Sequence, residues 1–252
     1  MSRSMKRRDR AIPIAMPWVG KDELQAVERV LLSRWLGQGP EVEEFERKFA
    51  NYIGTNFAVA VSSGTAALHL ALLPHSIGPG DEVIVPTFTY IATANAVLYT
   101  GAKPTFVDID PSTYNIDPSC VKKALTRRTK AIIPVHYAGQ PAEMNQIIDI
   151  ATEYGLTVIE DAAEAAGAIY KGRKVGSIGH TGCFSFAWNK DLTTGEGGMV
   201  TTNDEDVARA VESLRNHGKA RIGRRDLHTR LGYNDKMTDI QAALGRVQLR
   251  KL

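Results

Sequence analysis

One lysine, Lys190, lies between two strand-like segments and is followed by a turn rich in glycine. The aromatic, β-prone run from Cys183 to Trp188 leads into it, and a second such run, Met199 to Thr202, follows Thr-Thr-Gly-Glu-Gly-Gly. Lysine is the side chain that forms a reversible imine with an aldehyde, provided that its amine can lose its proton. The glycines would let the backbone pass close to a bound group. The alternative is a solvated surface charge, as most lysines are.

A second candidate is the segment Val-Ser-Ser-Gly-Thr-Ala-Ala-Leu, residues 61–68, where a strand-like run ends and a helical pattern begins. Ser62 and Ser63 can cap a helix that starts at Gly64 and Thr65. The free N–H groups and the dipole at such a start attract an anion. A well-capped helix without a ligand is the alternative.

Two further segments place side chains just past predicted strands. Asp161 follows an apolar run, where a bare carboxylate is costly unless it is paired, and a helix N-cap is its alternative role. Glu164, three residues on, is either a ligand-binding acid or a solvated acid in a first helical turn. Tyr90 could lie flat on an aromatic ring, which is worth about 1 kcal/mol, whereas we expect Phe88 to pack in the core.

The elements that must position these residues alternate between strand and helix. A helix opens at Gly20 and another at Pro40, and the chain then alternates regularly. Near-continuous apolar strands separated by helices indicate an α/β fold with a mostly parallel central sheet covered on both faces. Ligands of such sheets gather at the carboxyl ends of the strands. The predicted strands are 57–61, 82–86, 104–108, 131–135 and 156–160, and the predicted helices are 65–73, 91–99, 118–125, 143–154 and 237–252.

Composition limits the class of protein. A chain of 252 residues with 43% hydrophobic and 23% charged residues is typical of a globular protein with one large or two small domains. The net charge of +3 indicates neither a nucleic acid nor a membrane as partner. Residues 1–15 are basic with a short apolar run, which predicts a disordered tail rather than a signal segment. Cys120 and Cys183 lack metal-ligand or redox spacing, so we expect reduced thiols, no metal and a cytoplasmic protein.

From about Met16 to its last residue, the sequence resembles the DegT/DnrJ/EryC1/StrS family of sugar aminotransferases, which are pyridoxal 5'-phosphate (PLP) enzymes of fold type I. The resemblance rests on the segments already described and on Gly-Tyr-Asn at residues 232–234. It implies that residues 16–252 form the PLP-binding large domain. In this family the helix that matches 237–252 continues into a small C-terminal domain, so we expect this chain to be truncated.

The resemblance also implies a role for each candidate. Lys190 would bind the PLP aldehyde and then move a proton, while Asp161 would pair with the pyridine nitrogen and keep it protonated. Tyr90 would stack on the ring. Glu164 would hydrogen-bond the 3-oxygen, Gly64, Thr65 and Ser185 would bind the phosphate, and Asn234 would reach the phosphate in the active site of a neighbouring subunit.

The lysine segment, Asn189 followed by Lys190 and Thr-Thr-Gly-Glu-Gly-Gly, resembles the C4-aminating branch, although Trp188 stands where that branch usually has glycine. The run Asp-Ala-Ala-Glu-Ala from residue 161 is similar to perosamine synthases. These resemblances imply transfer of an amino group from glutamate to a nucleotide-linked 4-keto-6-deoxy sugar, in a homodimer with shared active sites. The alternatives are C3 amination, a non-catalytic PLP-binding or regulatory protein, and an inactive fragment.

A basic cluster precedes the Gly-Tyr-Asn segment. It consists of Lys219, Arg221, Arg224 and Arg225. A solvated loop is the simpler interpretation, and attraction for a nucleotide diphosphate is the functional one.

Overall fold

The computed structural model describes residues 13 and 15–252. The predicted disordered tail, residues 1–15, lies outside the described residues apart from Pro13 and Ala15. The helices are α1 (Lys21–Ser33), α2 (Pro40–Ile53), α3 (Gly64–Leu72), α4 (Ala92–Tyr99), α5 (Pro118–Ala124), α6 (Met144–Tyr154), α7 (Glu205–Arg215) and α8 (Asp239–Leu249), with short 3₁₀ turns at Leu73–His75 and Tyr137–Gly139.

Seven of the strands form one central sheet in the spatial order β1-β9-β8-β5-β4-β2-β3. All neighbouring pairs are parallel except those of β9, which runs antiparallel to both β1 and β8. The remaining strands form two hairpins, β6–β7 and β10–β11. The strands are β1 (Phe57–Val61), β2 (Glu82–Pro86), β3 (Lys103–Val107), β4 (Thr129–Ile132), β5 (Thr157–Asp161), β6 (Ile169–Tyr170), β7 (Arg173–Lys174), β8 (Thr181–Ser185), β9 (Gly198–Thr202), β10 (Lys219–Ile222) and β11 (Arg225–His228).

Helices cover both faces of the sheet, because its strands are apolar on both sides. On one face α2, α5, α6 and α8 pack in a core that includes Phe45, Phe49, Phe184 and Phe186. On the other face α3, α4 and α7 pack in a second core built from small and aliphatic residues. The predicted α/β architecture with a mostly parallel sheet is therefore confirmed.

The boundaries of several elements differ from the predicted ones for local reasons. The strand predicted at 131–135 is Thr129–Ile132, and it ends before Pro134, which has no N–H for the ladder. The helix predicted from Met237 starts at Asp239, because Thr238 caps it and forms a capping box with Gln241.

The sequence interpretation assigned no element to residues 205–228, where the structure has α7 and the hairpin β10–β11. Helix α7 carried a usable signal, since Asp204 caps it and Val207, Val211 and Leu214 form its buried stripe. The hairpin carried no such signal, because every residue from 221 to 230 is exposed. Within the described residues, no helix is both long and apolar enough to cross a bilayer.

The aromatic core under the sheet supplies a test of the fold. Phe49 is fully buried, and its ring centroid lies 4.9 Å from that of Phe184 and 5.4 Å from that of Phe186. Phe49→Ala should lower the free energy of unfolding by about 3–5 kcal/mol, measured by urea denaturation. Phe106→Ala is the matched control, because Phe106 is 52% exposed on the edge strand β3. Equal losses in the two variants would contradict this assignment of the core.

Candidate functional site

A cavity of about 400 Å³ lies at the carboxyl ends of β1, β2, β5 and β8. These four strands run in the same direction, so the residues just past each of them meet at one edge of the sheet. Asn234 does not line the cavity. Seven of the eight predicted site residues do: Gly64, Thr65, Tyr90, Asp161, Glu164, Ser185 and Lys190.

The start of α3 lies against the end of β8, although β9 separates β1 from β8 in the sheet. A Cβ added at Gly64 would lie 2.7 Å from the Ser185 Cβ, and one added at Gly198 would lie 2.3 Å from the Ser63 carbonyl oxygen. Gly198, the first residue of β9, pairs with Val61 on one side and with Ser185 on the other. The two glycines therefore let α3 pass over β9 and reach Ser185.

This contact brings an anion site together. The Ser63 hydroxyl accepts a hydrogen bond from the Ala66 N–H at 3.1 Å, which makes Ser63 the cap of α3. The N-terminal turn of α3 and the Ser185 side chain then lie side by side in the cavity wall, where helix N–H groups favour a negative charge. The other predicted cap, Ser62, does not cap the helix, since its hydroxyl lies 3.1 Å from Asp235 Oδ1.

Asp161, the last residue of β5, has 5% of its surface exposed. Its Oδ2 accepts a hydrogen bond from the Thr93 hydroxyl at 2.7 Å, and its Oδ1 accepts one from the Ala163 N–H at 3.2 Å. Burial raises the pKa of this carboxyl, and the two hydrogen bonds only partly oppose that effect. No helix begins after Asp161, so the alternative role of helix N-cap is excluded. A cationic group in the cavity would offset the cost of the buried charge.

Lys190 and Glu164 form an ion pair in the cavity wall. Lys190 Nζ lies 3.1 Å from Glu164 Oε1, and Glu164 Oε2 accepts a hydrogen bond from the Ala138 N–H at 3.1 Å. The lysine side chain is only 18% exposed, so Lys190 is not a freely solvated surface charge. The carboxylate is 40% exposed, and a pair this open is worth about 0–1 kcal/mol, which leaves the lysine amine easy to release.

Both aromatic residues past β2 are exposed, whereas the prediction placed only Tyr90 outside the core. Tyr90 is 78% exposed and presents a free ring to the cavity. The expectation that Phe88 fills the core is wrong, because Phe88 is 42% exposed. It packs on Tyr137 and Tyr114 with ring centroids 4.8 and 5.5 Å away. The reason is its position beyond the end of β2, at the rim of the sheet where no helix covers it.

Asn234 lies in the segment between the β10–β11 hairpin and α8, and its side chain is exposed. The segment is fixed to the end of β1, because the Asp235 carbonyl accepts the Ser62 N–H at 2.8 Å. Lys236 Nζ donates to Asn216 Oδ1 at 3.1 Å. Asn234 thus lies outside the cavity of its own chain. This position agrees with a role toward another chain, which stays a prediction.

The basic cluster of residues 219–225 forms the hairpin β10–β11 rather than a loop. Lys219 pairs with Asp226 at 2.9 Å, and the cluster lies away from the cavity beside a more open hollow of about 700 Å³ next to α7. Acidic residues of α7, Asp206 and Glu212, share that hollow. This mixture of charges favours the interpretation as a solvated surface.

In the described part of the chain, no three His, Cys, Asp or Glu residues are arranged to hold a metal ion.

The sequence interpretation missed several residues of the cavity wall. Thr93 donates to Asp161, and Thr89 lies 2.7 Å from Thr93 between their hydroxyl oxygens. Thr89 lies before α4 and Thr93 in its first turn, so helical periodicity gave no signal that joins them. Tyr137 and Glu196 also line the cavity, but both stand in turns for which the sequence has no periodic pattern.

Known proteins resemble this chain in sequence and in fold. The sequence profile of the DegT/DnrJ/EryC1/StrS aminotransferase family matches residues 17–252. The GDP-perosamine synthase of Caulobacter vibrioides is 48% identical over 242 residues, which are 96% of this chain and 65% of that protein. The solved structure of an aminotransferase from Psychrobacter cryohalolentis is 45% identical with a TM-score of 0.90, and the match covers 94% of this chain and 64% of that one.

A second solved structure, that of DesV from S. venezuelae, is 44% identical with a TM-score of 0.86. The match covers 90% of this chain and 61% of DesV. Among the curated relatives, the chain spans 65–66% of their length. The similarity therefore extends over nearly all of this chain and over about two thirds of each relative.

The buried carboxylate makes a prediction about the ligand-free protein. Because the folded-state pKa of Asp161 is raised, the folded protein holds a proton that the unfolded chain gives up, and stability falls as pH rises between the unfolded and folded values. Asp161→Asn removes this loss and should raise the urea midpoint at pH 7 and flatten its dependence on pH. Asp149→Asn, at an exposed position of α6, is the control and should leave the free energy of unfolding within about 0.5 kcal/mol of wild type. A lower midpoint for Asp161→Asn at pH 7 would contradict a raised pKa of Asp161 in the folded protein.

Proposed function

Because the chain belongs to the DegT/DnrJ/EryC1/StrS aminotransferase family, whose members use PLP, we propose that it is the PLP-binding part of a nucleotide-sugar aminotransferase. The predicted family and fold are thereby confirmed. The reaction moves the amino group of glutamate to C4 of a nucleotide-linked 4-keto-6-deoxy sugar. One observation carries the proposal: a lysine, a buried aspartate, an anion site and a free aromatic ring line one cavity.

The residues of the cavity fit PLP at each of its polar groups. Its volume of about 400 Å³ lies within the range of about 300–1,000 Å³ that small-molecule sites occupy. The start of α3 with Gly64, Thr65 and Ser185 would hold the phosphate, as helix N-termini do. The other contacts would be Asp161 at the ring nitrogen, Tyr90 on the ring face, Glu164 at the 3-oxygen and Lys190 at the aldehyde carbon.

Bound PLP would supply a protonated ring into which electrons flow from the carbon that loses its proton. The protein's part is to hold that charge and to move that proton. Asp161 is buried and lacks an ion-pair partner among the described residues, so it has reason to hold the ring nitrogen protonated. Lys190, once released from PLP, would take the proton at the α-carbon of glutamate as a general base. When Lys190 is not bonded to PLP, its amine can donate a hydrogen bond to Glu164.

The substrate class rests on the relatives. Two curated relatives with 46–48% identity, from Caulobacter vibrioides and Escherichia coli, are named GDP-perosamine synthase. This supports a nucleotide-linked sugar and amination at C4. C3 amination is the alternative, and NMR of the product would separate the two. We propose, too, that residues 16–252 form the large domain, since the chain spans 65–66% of the length of its curated relatives.

We propose that two chains share each active site. The support is the position of Asn234, which is exposed outside its own cavity on a segment fixed to the end of β1. A polar side chain displayed in this way can reach the phosphate site of a second copy.

Lys190 is the residue that we assign to the PLP aldehyde, and reduction of the bond between them tests that assignment. Borohydride should fix PLP to the wild-type protein through this lysine, and Lys190→Ala should lose the fixed adduct while it keeps the wild-type circular dichroism spectrum. Lys130→Ala, at an exposed position of β4, is the control and should keep the adduct. Peptide mapping that places the adduct on another lysine would disprove the assignment.

A mixture of two defective chains tests the shared site. Lys190→Ala and Asn234→Ala should each lose most activity at limiting PLP. If Asn234 acts in the partner's site, a mixed dimer contains one intact site, and equal amounts of the two chains should regain about a quarter of wild-type activity after re-pairing. If Asn234 acts in its own chain, every site of the mixed dimer has one defect and no activity returns. An active monomer in sedimentation velocity would also reject the proposal.

A further inference from the structure

Behind the cavity, two threonine hydroxyls and the Asp161 carboxylate form a hydrogen-bonded row. Thr93 has no exposed surface, and its hydroxyl oxygen lies 2.7 Å from Asp161 Oδ2 and 2.7 Å from the Thr89 hydroxyl oxygen. Thr89 precedes α4, Thr93 lies in its first turn, and both border the cavity. The row therefore links a wall residue to the carboxylate through a hydroxyl that water does not reach.

The hydrogen positions follow from counting. Thr93 has a single hydroxyl hydrogen, and an ionised Asp161 can only accept. When Asp161 carries its charge, Thr93 must donate to it, and Thr89 must donate to Thr93. The Thr93 hydroxyl oxygen lies 2.7 Å from Oδ2, an ordinary length for an O–H···O hydrogen bond, and the Ala163 nitrogen lies 3.2 Å from Oδ1.

When Asp161 is protonated, the row can run the other way. The Ala163 N–H can only donate, so Oδ1 stays its acceptor, and a proton on Oδ2 leaves that bond undisturbed. Oδ2 then donates to Thr93, and Thr93 donates to Thr89. Both protonation states of the carboxyl are thus satisfied without movement of a heavy atom, because only two hydroxyl hydrogens rotate.

The other groups around the Asp161 carboxylate cannot both donate a hydrogen bond to its charged form and accept one from its protonated form. Among the described residues, the hydrogen-bond donors to its side chain are Thr93 and Ala163. The ionisable groups that act on it are His136 past β4, Lys190 past β8 and Cys183, its partner in register on β8. None of them donates a hydrogen bond to it in the described structure, and the His136 ring is engaged by Glu160 at 3.0 Å.

We infer that Thr93, backed by Thr89, is a positioning residue that orients the Asp161 carboxylate toward the ring nitrogen of bound PLP and lets it change charge when PLP enters. This inference rests on the proposed function, because it assigns the ring nitrogen to Asp161. Thr93 does not touch the reacting atoms. Burial raises the pKa of Asp161 and the bond from Thr93 lowers it again, in agreement with this role.

The test compares Thr93→Val, which removes the hydroxyl at nearly constant shape, with Thr93→Ser, which keeps it. PLP enriched in ¹⁵N at the ring nitrogen is bound to each protein, and its NMR shift reports how far that nitrogen is protonated. Thr93→Val should shift the signal toward the unprotonated value, bind PLP about tenfold more weakly and lower kcat more than it raises KM for glutamate. Thr93→Ser should restore the shift and the affinity, and Thr89→Val should give a smaller effect in the same direction.

Thr181→Val is the matched control. Thr181 is 1% exposed at the far end of β8, and its hydroxyl has no partner within the described chain, so its loss should leave the ¹⁵N shift unchanged. An unchanged shift and affinity in Thr93→Val would overturn the inference, and so would a Thr93→Ser variant as defective as Thr93→Val, since packing would then explain the loss. Wild-type protein that binds no PLP would instead refute the proposed function.

Discussion

A carboxylate held almost out of water at the end of a strand is the constraint on which this site depends. Asp161 is 5% exposed, and its two hydrogen-bond donors in the described structure, Thr93 and Ala163, are uncharged. Such a group costs stability until a cation joins it. The cost arises because β5 lies in the middle of the sheet, between the largely buried strands β8 and β4. A positively charged partner would offset this cost.

The order of the strands brings the rest of the site to this carboxylate. Strand β8 lies beside β5 and provides Ser185 and the segment with Lys190, while β2, two places away on the other side, leads to Tyr90. The start of α3 follows β1, which is three places away from β5 in the sheet, with β9 and β8 between them. Glycine at 64 and 198 removes the atoms that would block it. Packing at these two glycines thus sets the distance between the anion site and the buried carboxylate.

Much of this site could be predicted from the sequence, because each residue follows a recognisable apolar strand and has a distinctive side chain. Lys190 and Asp161 are examples, and the cavity brings both together. The row of hydroxyls could not be predicted, since Thr93 and Asp161 are 68 positions apart and threonine is common at helix starts. The error at Phe88 has a similar origin, as an aromatic residue next to a strand has the same sequence signal whether it is covered or exposed. The hairpin β10–β11 was not predicted, because its residues have no buried face and therefore no alternating apolar pattern.

We propose that the charge of Asp161 drives the chemistry of bound PLP, and not merely its binding. Asp161→Asn keeps the shape of the side chain and removes the charge. The most direct measurement is the single-turnover decay of the PLP absorption band after addition of glutamate, in variant and wild type loaded with PLP. We predict that the variant still binds PLP and that the decay slows roughly a thousandfold, as expected when a preorganised charge is lost. A decay close to the wild-type rate would mean that Asp161 has only a structural role and that the cofactor is placed wrongly.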